Sequence, residues 1–119
     1  MDLRYARSRR ISRKTDITRL LAHGRRAGDN VLTLLALPND LPFCRAAVAV
    51  SRRHGHAVRR NRAKRLCREA FRLSQPQLPG GWDYLLMPRA GPELALRKLE
   101  DSLVRLAGRA TGQRGEAPT

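Results

Sequence analysis

Apolar positions along the chain fall into helical and strand-like runs separated by clusters of Gly, Pro, Asn and Asp. In "TDITRLLAHG", Ile17, Leu20 and Leu21 stand at helical spacing, with Thr15 as a capping-type residue, Asp16 in the first turn and Gly24 at the expected stop. A short first helix is predicted there, beginning near Thr15. "RRAGDN" follows as a loop, and then come "VLTLLAL", Val31 to Leu37, and "RAAVAVS", two runs whose apolar and β-branched content predicts strands. The seven-residue connection "PNDLPFC" permits the two to pair as a hairpin. The period changes to that of a helix over roughly 57–73, breaks between Ser74 and Gly81, and resumes as the strand "WDYLLMP". "GPELALRKLEDSLVRLAG" closes the pattern as an amphipathic helix, with Pro92 and Glu93 in its first turn, Leu96, Leu99, Leu103 and Leu106 on one face, and Gly108 at its end.

The middle helix has two unlike sides. At about 100° per residue, Ala63, Leu66, Cys67, Ala70 and Phe71 share the side that would bury against the sheet. Opposite them lie Asn61, Lys64, Arg65, Arg68 and Arg72, flanked by Arg60 and Arg62. Over residues 57–72 the sequence carries seven basic side chains and one acid, Glu69. Like charges four apart on a helix repel, and a merely solvated face would mix its signs. The arrangement therefore points to an anionic partner outside the chain.

Composition extends that inference to the whole molecule. At 119 residues the chain is one domain's worth, and its formal charge of +15 selects polyanions, nucleic acid foremost. Arginine outnumbers lysine by 22 to three, which suits paired contacts to phosphate and stacking on bases. Residues 1–14 hold six basic groups and little apolar periodicity, so a mobile basic arm is expected there, ahead of a single domain over 15–109 and a tail over 110–119 with no apolar face to bury. The longest apolar run falls far short of the roughly twenty residues of a spanning helix, and the basic N-terminus has no h-region after it. No membrane partner and a cytoplasmic location are expected. Cys44 and Cys67 form no CxxC pair and are expected to be ordinary reduced thiols.

"SRRHGHAVRRN" brings the end of a strand, Ser51, Arg52 and Arg53, through Gly55 into the start of the basic helix. A helix N-terminus offers free N–H groups and partial positive charge, so a phosphate could dock there. His54 and His56 raise the thought of acid–base cleavage or metal binding. No neighbouring carboxylate in sequence would orient either ring, which favours solvated or RNA-contacting histidines.

The string "RRNRAKRLCREAFR", preceded by "AVAVSRRHGHAV", resembles the signature of the bacterial ribonuclease P protein subunit, and the likeness in element order extends over roughly residues 9–109. The resemblance implies an α/β (α+β) two-layer sandwich of order αβββαβα, a four-stranded mixed sheet packed with three helices. It also implies a left-handed βαβ crossover through the basic helix, where general chirality would favour a right-handed one. By the same resemblance the chain joins a catalytic RNA in an endoribonuclease that removes the 5′ leader from precursor tRNA. That RNA holds the Mg2+, and the protein itself supplies no catalytic residue and binds no metal alone. The resemblance implies RNA contacts at Ser51, Arg52, Arg53, Arg60, Asn61, Arg62, Lys64, Arg65 and Arg68, and Arg59 and Arg72 of the same basic helix are expected to join them. The family places aromatics on the first helix and an early strand, in the cleft for the single-stranded leader; Ile17, Leu21 and Leu34 stand at those positions here. Aliphatic groups lack the stacking face worth roughly 1–3 kcal/mol per base. His56 replaces the family's usual Asn, putting a titratable ring in place of a neutral amide. The main rival reading is a structural RNA-binding protein such as a small ribosomal component, and a stand-alone ribonuclease resting on His54 and His56 comes third.

Overall fold

The computed structural model describes residues 9–91 and 93–112. Helix α1 (Lys14–His23) leads into strands β1 (Arg25–Gly28), β2 (Leu32–Pro38) and β3 (Arg45–Val48). Helix α2 (Ala57–Ser74), strand β4 (Trp82–Pro88) and helix α3 (Leu96–Thr111) complete the chain. The sheet order is β1-β2-β4-β3. The β1–β2 and β2–β4 pairs are antiparallel, whereas β3 and β4 run parallel, joined by the crossover through α2.

That order corrects the hairpin expected between the second and third strands. β4 lies between them, pairing Leu35 with Leu85 on one side and Ala47 with Leu85 on the other. β4 carries the longest apolar stretch of the sheet after β2, so the centre is where it buries most on both faces. The first of the four strands that the resemblance implies, β1, occupies part of the segment that the residues alone predict as a loop. Only Ala27 of its four residues is buried, while the Arg25 guanidinium lies 5.4 Å from the Trp82 ring centroid. The β1–β2 turn is held by Asp29, whose Oδ1 accepts from the backbone N–H groups of Val31 and Leu32 at 2.8 and 2.9 Å.

Two apolar clusters fill the two faces. On one, Leu32, Leu34, Ala36, Tyr84 and Leu86 meet Cys67, Ala70 and Phe71 of α2 and Leu99, Leu103 and Leu106 of α3. Each fully buried leucine there contributes about 1.5–3 kcal/mol. On the other, Leu35, Ala47 and Leu85 meet Leu20 of α1 and Ile11. That second cover is partial, so much of this face stays open to a partner.

Three boundaries differ from expectation. Residues 9–13, expected in a mobile arm, lie against the edge of β3: the Ile11 N–H donates to the Ala46 carbonyl at 3.0 Å and the Ile11 side chain is buried. Just before it, the Arg9 guanidinium sits 4.6 Å from the Phe43 ring centroid and donates to Gln75 Oε1. The rest of the expected arm, residues 1–8, lies outside the described residues. α3 begins at Leu96 rather than at Pro92 and runs through Gly108 to Thr111, with Ala110 and Thr111 buried. It stops at Gly112, whose φ of 72° is the left-handed cap conformation that glycine adopts without strain. Of the expected tail, 113–119 lie outside the described residues. No helix among the described residues is long and apolar enough to cross a membrane.

Both cysteines are buried free thiols. Burial pushes the Cys44 thiol up to about 11 and the Cys67 thiol up to about 12. Thiolate is the reactive species, so neither should be alkylated by iodoacetamide at pH 8 in the folded protein, and both should be once guanidinium unfolds it. Fast labelling of the folded chain would place them outside the core.

Asp29 sets an acid limit on the β1–β2 turn. Burial alone would raise its pKa, but hydrogen bonds from Leu32 and Val31, with Ser102 and Arg105 adding to them, hold the carboxyl below its ordinary value. A depressed carboxylate contributes stability above the unfolded pKa, near 3.9, and loses it as pH falls through the lower folded pKa. Asp29→Asn should therefore flatten the acid end of the stability–pH curve below about pH 4. Urea melts at pH 3 and pH 6 would show the difference.

Candidate nucleic-acid interface

Three pieces of backbone set the site: the end of β3, a 3-10 turn over Arg52–His54, and α2. Gly55, at φ 101°, makes the bend between turn and helix that a side chain would strain. His56 then caps α2 in extended conformation, with no side-chain cap bond. The first turn of α2 has no acid to offset the helix dipole; it carries Arg59 and Arg60 instead. Cations at a helix N-terminus are unfavourable on their own, so this end is electrostatically improved by an incoming anion.

Along α2 the apolar side is as expected, with Ala63, Cys67, Ala70, Phe71 and Ser74 buried. The outward side presents Asn61, Arg62, Arg65 and Arg68, all exposed, with Val58, 80 % exposed, among them. Arg52, Arg53 and Arg59 are exposed on the approach to the helix, as is Ser51. None of Arg52, Arg53, Arg59, Arg62, Arg65 and Arg68 has a side-chain hydrogen bond or ion pair among the described residues. Six guanidinium groups thus gather on and beside one helix, unpaired among the described residues.

The remaining expected contacts are placed differently. Arg60 and Lys64 turn toward the packed side and are half-buried, and the Arg60 Nε is buried with no hydrogen-bond partner. Arg72 pairs with Glu69, its Nε donating to Oε1 at 2.9 Å, and that hydrogen bond holds the Glu69 carboxyl below its ordinary value. Arg72 is therefore partly neutralised within the chain, and the uncompensated ridge ends near Arg68.

His54 is also committed. Its Nε2 lies 2.7 Å from the Pro88 carbonyl, a contact in which the ring N–H donates and the turn is tied to the end of β4. No carboxylate hydrogen-bonds either His54 or His56 among the described residues, and no group of three His, Cys, Asp or Glu there could hold a metal ion. The geometry lends nothing to a histidine-based ribonuclease.

On the open sheet face, the three leader candidates separate. Ile17 packs, half-buried, against the Leu35 cluster, and Leu21 on the same helix is 60 % exposed. Leu34 is a correction: it is fully buried in the other cluster, facing α2 and α3. Successive strand residues point to opposite faces, so Thr33 and Leu35 take the face assigned to Leu34. A groove of about 450 Å³ runs along this face, lined by Arg26, Thr33, Ser51, Arg53, Met87 and Arg89 among others. Arg26, Thr33, Met87 and Arg89 were not legible as site residues, since three strand ends and a loop contribute them; alternation along β2 was the one usable signal, and its mostly apolar sequence hides the phase.

Comparison with known proteins bears on the family and the fold. A family model described as Ribonuclease P matches residues 5–111. The ribonuclease P protein component of Pelotomaculum thermopropionicum is 38% identical over 101 residues, covering 84% of this chain and 90% of the relative. That of Oleidesulfovibrio alaskensis is also 38% identical, covering 89% and 98%. Among solved structures, the RNase P protein from Thermotoga maritima superposes with a TM-score of 0.75 at 26% identity, over 84% of this chain and 96% of that one. The Staphylococcus aureus RNase P protein gives 0.73 at 23% identity, covering 86% and 94%, a likeness of fold.

Proposed function

Because this chain belongs to the ribonuclease P protein family, we propose that it is the protein component of a ribonucleoprotein that matures tRNA. In this reading a catalytic RNA docks along α2, and the assembled particle removes the 5′ leader from precursor tRNA. The observation that carries it is the set of unpartnered guanidinium groups of Arg52, Arg53, Arg59, Arg62, Arg65 and Arg68 on one helix and its approach.

The physical role is electrostatic and positional. Two RNAs repel, and each phosphate met by an arginine releases condensed counterions, so cationic side chains between them favour assembly. Mg2+ belongs with the RNA in this account, and the protein raises its effective binding by reducing repulsion around it. The open sheet face, with Ile17 and Leu21 on α1 and the groove beside Thr33 and Met87, receives the single-stranded leader. Its walls are aliphatic and cationic, which supports backbone contact more than base stacking. The cytoplasm, where precursor tRNA is made, is the expected place of action.

Sequencing the RNA that copurifies with the native protein tests the assignment. One dominant structured RNA that cleaves precursor tRNA supports it, and ribosomal RNA in its place would favour the ribosomal alternative.

A further inference from the structure

Beside the ridge of α2, and sharing Arg62 with it, a cavity of about 460 Å³ opens between the helix flank and the segment leading from β4 into α3. At about 100° per residue, Arg59, Arg62, Ala63 and Leu66 share a flank turned roughly 100° from Arg65, the centre of the ridge. Ala63, Leu66 and Leu94 provide apolar surface, Arg53, Arg59 and Arg62 supply cations, and Glu93 contributes a carboxylate. Neither the three guanidinium groups nor Glu93 forms an ion pair among the described residues, although all line the same space. Charges of both signs thus line one cavity with apolar side chains, without an ion pair among the described residues.

The apolar, cationic and anionic side chains of that lining, which His54 and Gly91 complete, match the parts of a nucleotide. The volume lies within the range of about 300–1,000 Å³ typical of small-ligand sites. An apolar surface takes the flat face of a base, and a guanidinium plane can stack on it or bind its phosphate. The carboxylate accepts hydrogen bonds and donates none. Of the four RNA bases, guanine alone offers two adjacent N–H donors, N1–H and the N2 amino group, along its Watson–Crick edge. Adenine and cytosine present a ring acceptor beside their amino group, and uracil flanks its single N–H with carbonyls, so a carboxylate meets repulsion from each.

We propose that this cavity is a subsite for one unpaired guanosine of the bound RNA, with Glu93 reading its Watson–Crick edge and Arg53, Arg59 and Arg62 holding its backbone. The base must be unpaired, since pairing would occupy the edge that Glu93 reads. The inference rests on the reading of α2 as an RNA-docking surface and adds a sequence preference that the ridge alone does not supply.

The test is an NMR titration of the 15N-labelled full chain with the pentamers UUGUU, UUAUU and UUCUU, with guanosine 5′-monophosphate and inorganic phosphate as separate arms. UUGUU is expected to shift the amides of Leu66, Gly91 and Glu93 and to bind roughly tenfold more tightly than the other two. Glu93→Gln, an exposed substitution outside any helix, should remove that preference from both sides, weakening UUGUU binding and tightening UUAUU binding as the carboxylate's repulsion of adenine is lost. Equal affinity for the three pentamers, or shifts confined to the Arg65–Arg68 ridge, would overturn the subsite. So would guanosine monophosphate binding as tightly as UUGUU, which identifies a free nucleotide instead. Leader removal by the wild-type protein with its RNA, assayed in parallel, separates the two levels: stimulation without guanosine preference sinks this inference and leaves the ribonuclease P assignment standing.

Discussion

Reversing charge at both Arg65 and Arg68 is expected to weaken binding of the catalytic RNA by on the order of 100-fold at moderate salt. A hydrogen bond to a charged group is typically worth about 1.5–3 kcal/mol, and about 1.4 kcal/mol is a factor of ten. Two lost phosphate contacts at the lower figure give that loss, and the introduced carboxylates add repulsion. The same change should lower the slope of log affinity against log salt by about two, because two fewer counterion releases accompany binding. The gap between variant and wild type should therefore narrow as salt rises. Arg72→Glu is the internal comparison: Arg72 already meets Glu69, so its reversal should cost less. Filter-binding isotherms at several salt concentrations read all three quantities, and unchanged affinity and slope in the double variant would remove α2 from the interface.

The second large effect is on the fold that presents this surface. Asp83, the second residue of β4, is buried, and its carboxylate takes two hydrogen bonds from Arg45, 2.8 Å from Nε and 2.6 Å from Nη2, and one from Asn39 at 2.9 Å. One side chain thus joins β4 to the neighbouring β3 and to the β2–β3 connection. Asp83→Ala strands the Arg45 guanidinium, with Asp16 at 3.7 Å as its nearest remaining acid. Breaking a buried pair by removing one partner costs about 3–5 kcal/mol, and because Arg45 keeps some solvent contact the lower figure applies. For a domain of this size about 3 kcal/mol lowers the melting midpoint by more than ~10 °C. Thermal melts by circular dichroism would measure it. Replacing Arg45 as well, in Asp83→Ala/Arg45→Met, should recover much of the loss, since it is the unpaired charge and not the absent contact that dominates the cost.

How far the sequence foretold this molecule depends on which distances a pattern can see. The helices were legible because their buried residues recur every three to four positions, as Cys67, Ala70 and Phe71 do in α2. β4 was legible from "WDYLLMP" as a continuous apolar run. β1 escaped because a four-residue strand with two arginines and a single buried alanine has no pattern to detect. The placing of β4 between β2 and β3 is a long-range choice, which adjacency in sequence misjudges. Leu34, matched through the resemblance alone to a leader-cleft aromatic, faces α2 and α3 instead; β2 is buried on both sides over five consecutive residues, and without polar alternation the strand's phase is set only by its partners. α3 starts at Leu96, later than Pro92 suggests, because proline favours a first helical turn but does not compel one.

The candidate interface divides the same way. The ridge of Asn61, Arg62, Arg65 and Arg68 follows directly from helical spacing. Two facts altered it: Arg60 and Lys64 lean toward the packed side, and Glu69 captures Arg72. A helical wheel gives direction only, and it cannot say which of two arginines within reach of one glutamate will take it. The cavity beside Glu93 joins α2 to a loop some thirty residues later, a proximity that only the folded chain creates.

Leader removal from a precursor tRNA at low magnesium, measured with the protein alone, the candidate catalytic RNA alone, and the two combined, goes to the centre of this account. RNA-free protein should cut nothing, RNA alone should be slow, and the combination should be fast, with Arg65→Glu/Arg68→Glu returning it toward the RNA-alone rate. Cleavage by nuclease-treated protein without RNA, or full stimulation by the charge-reversed variant, would contradict it.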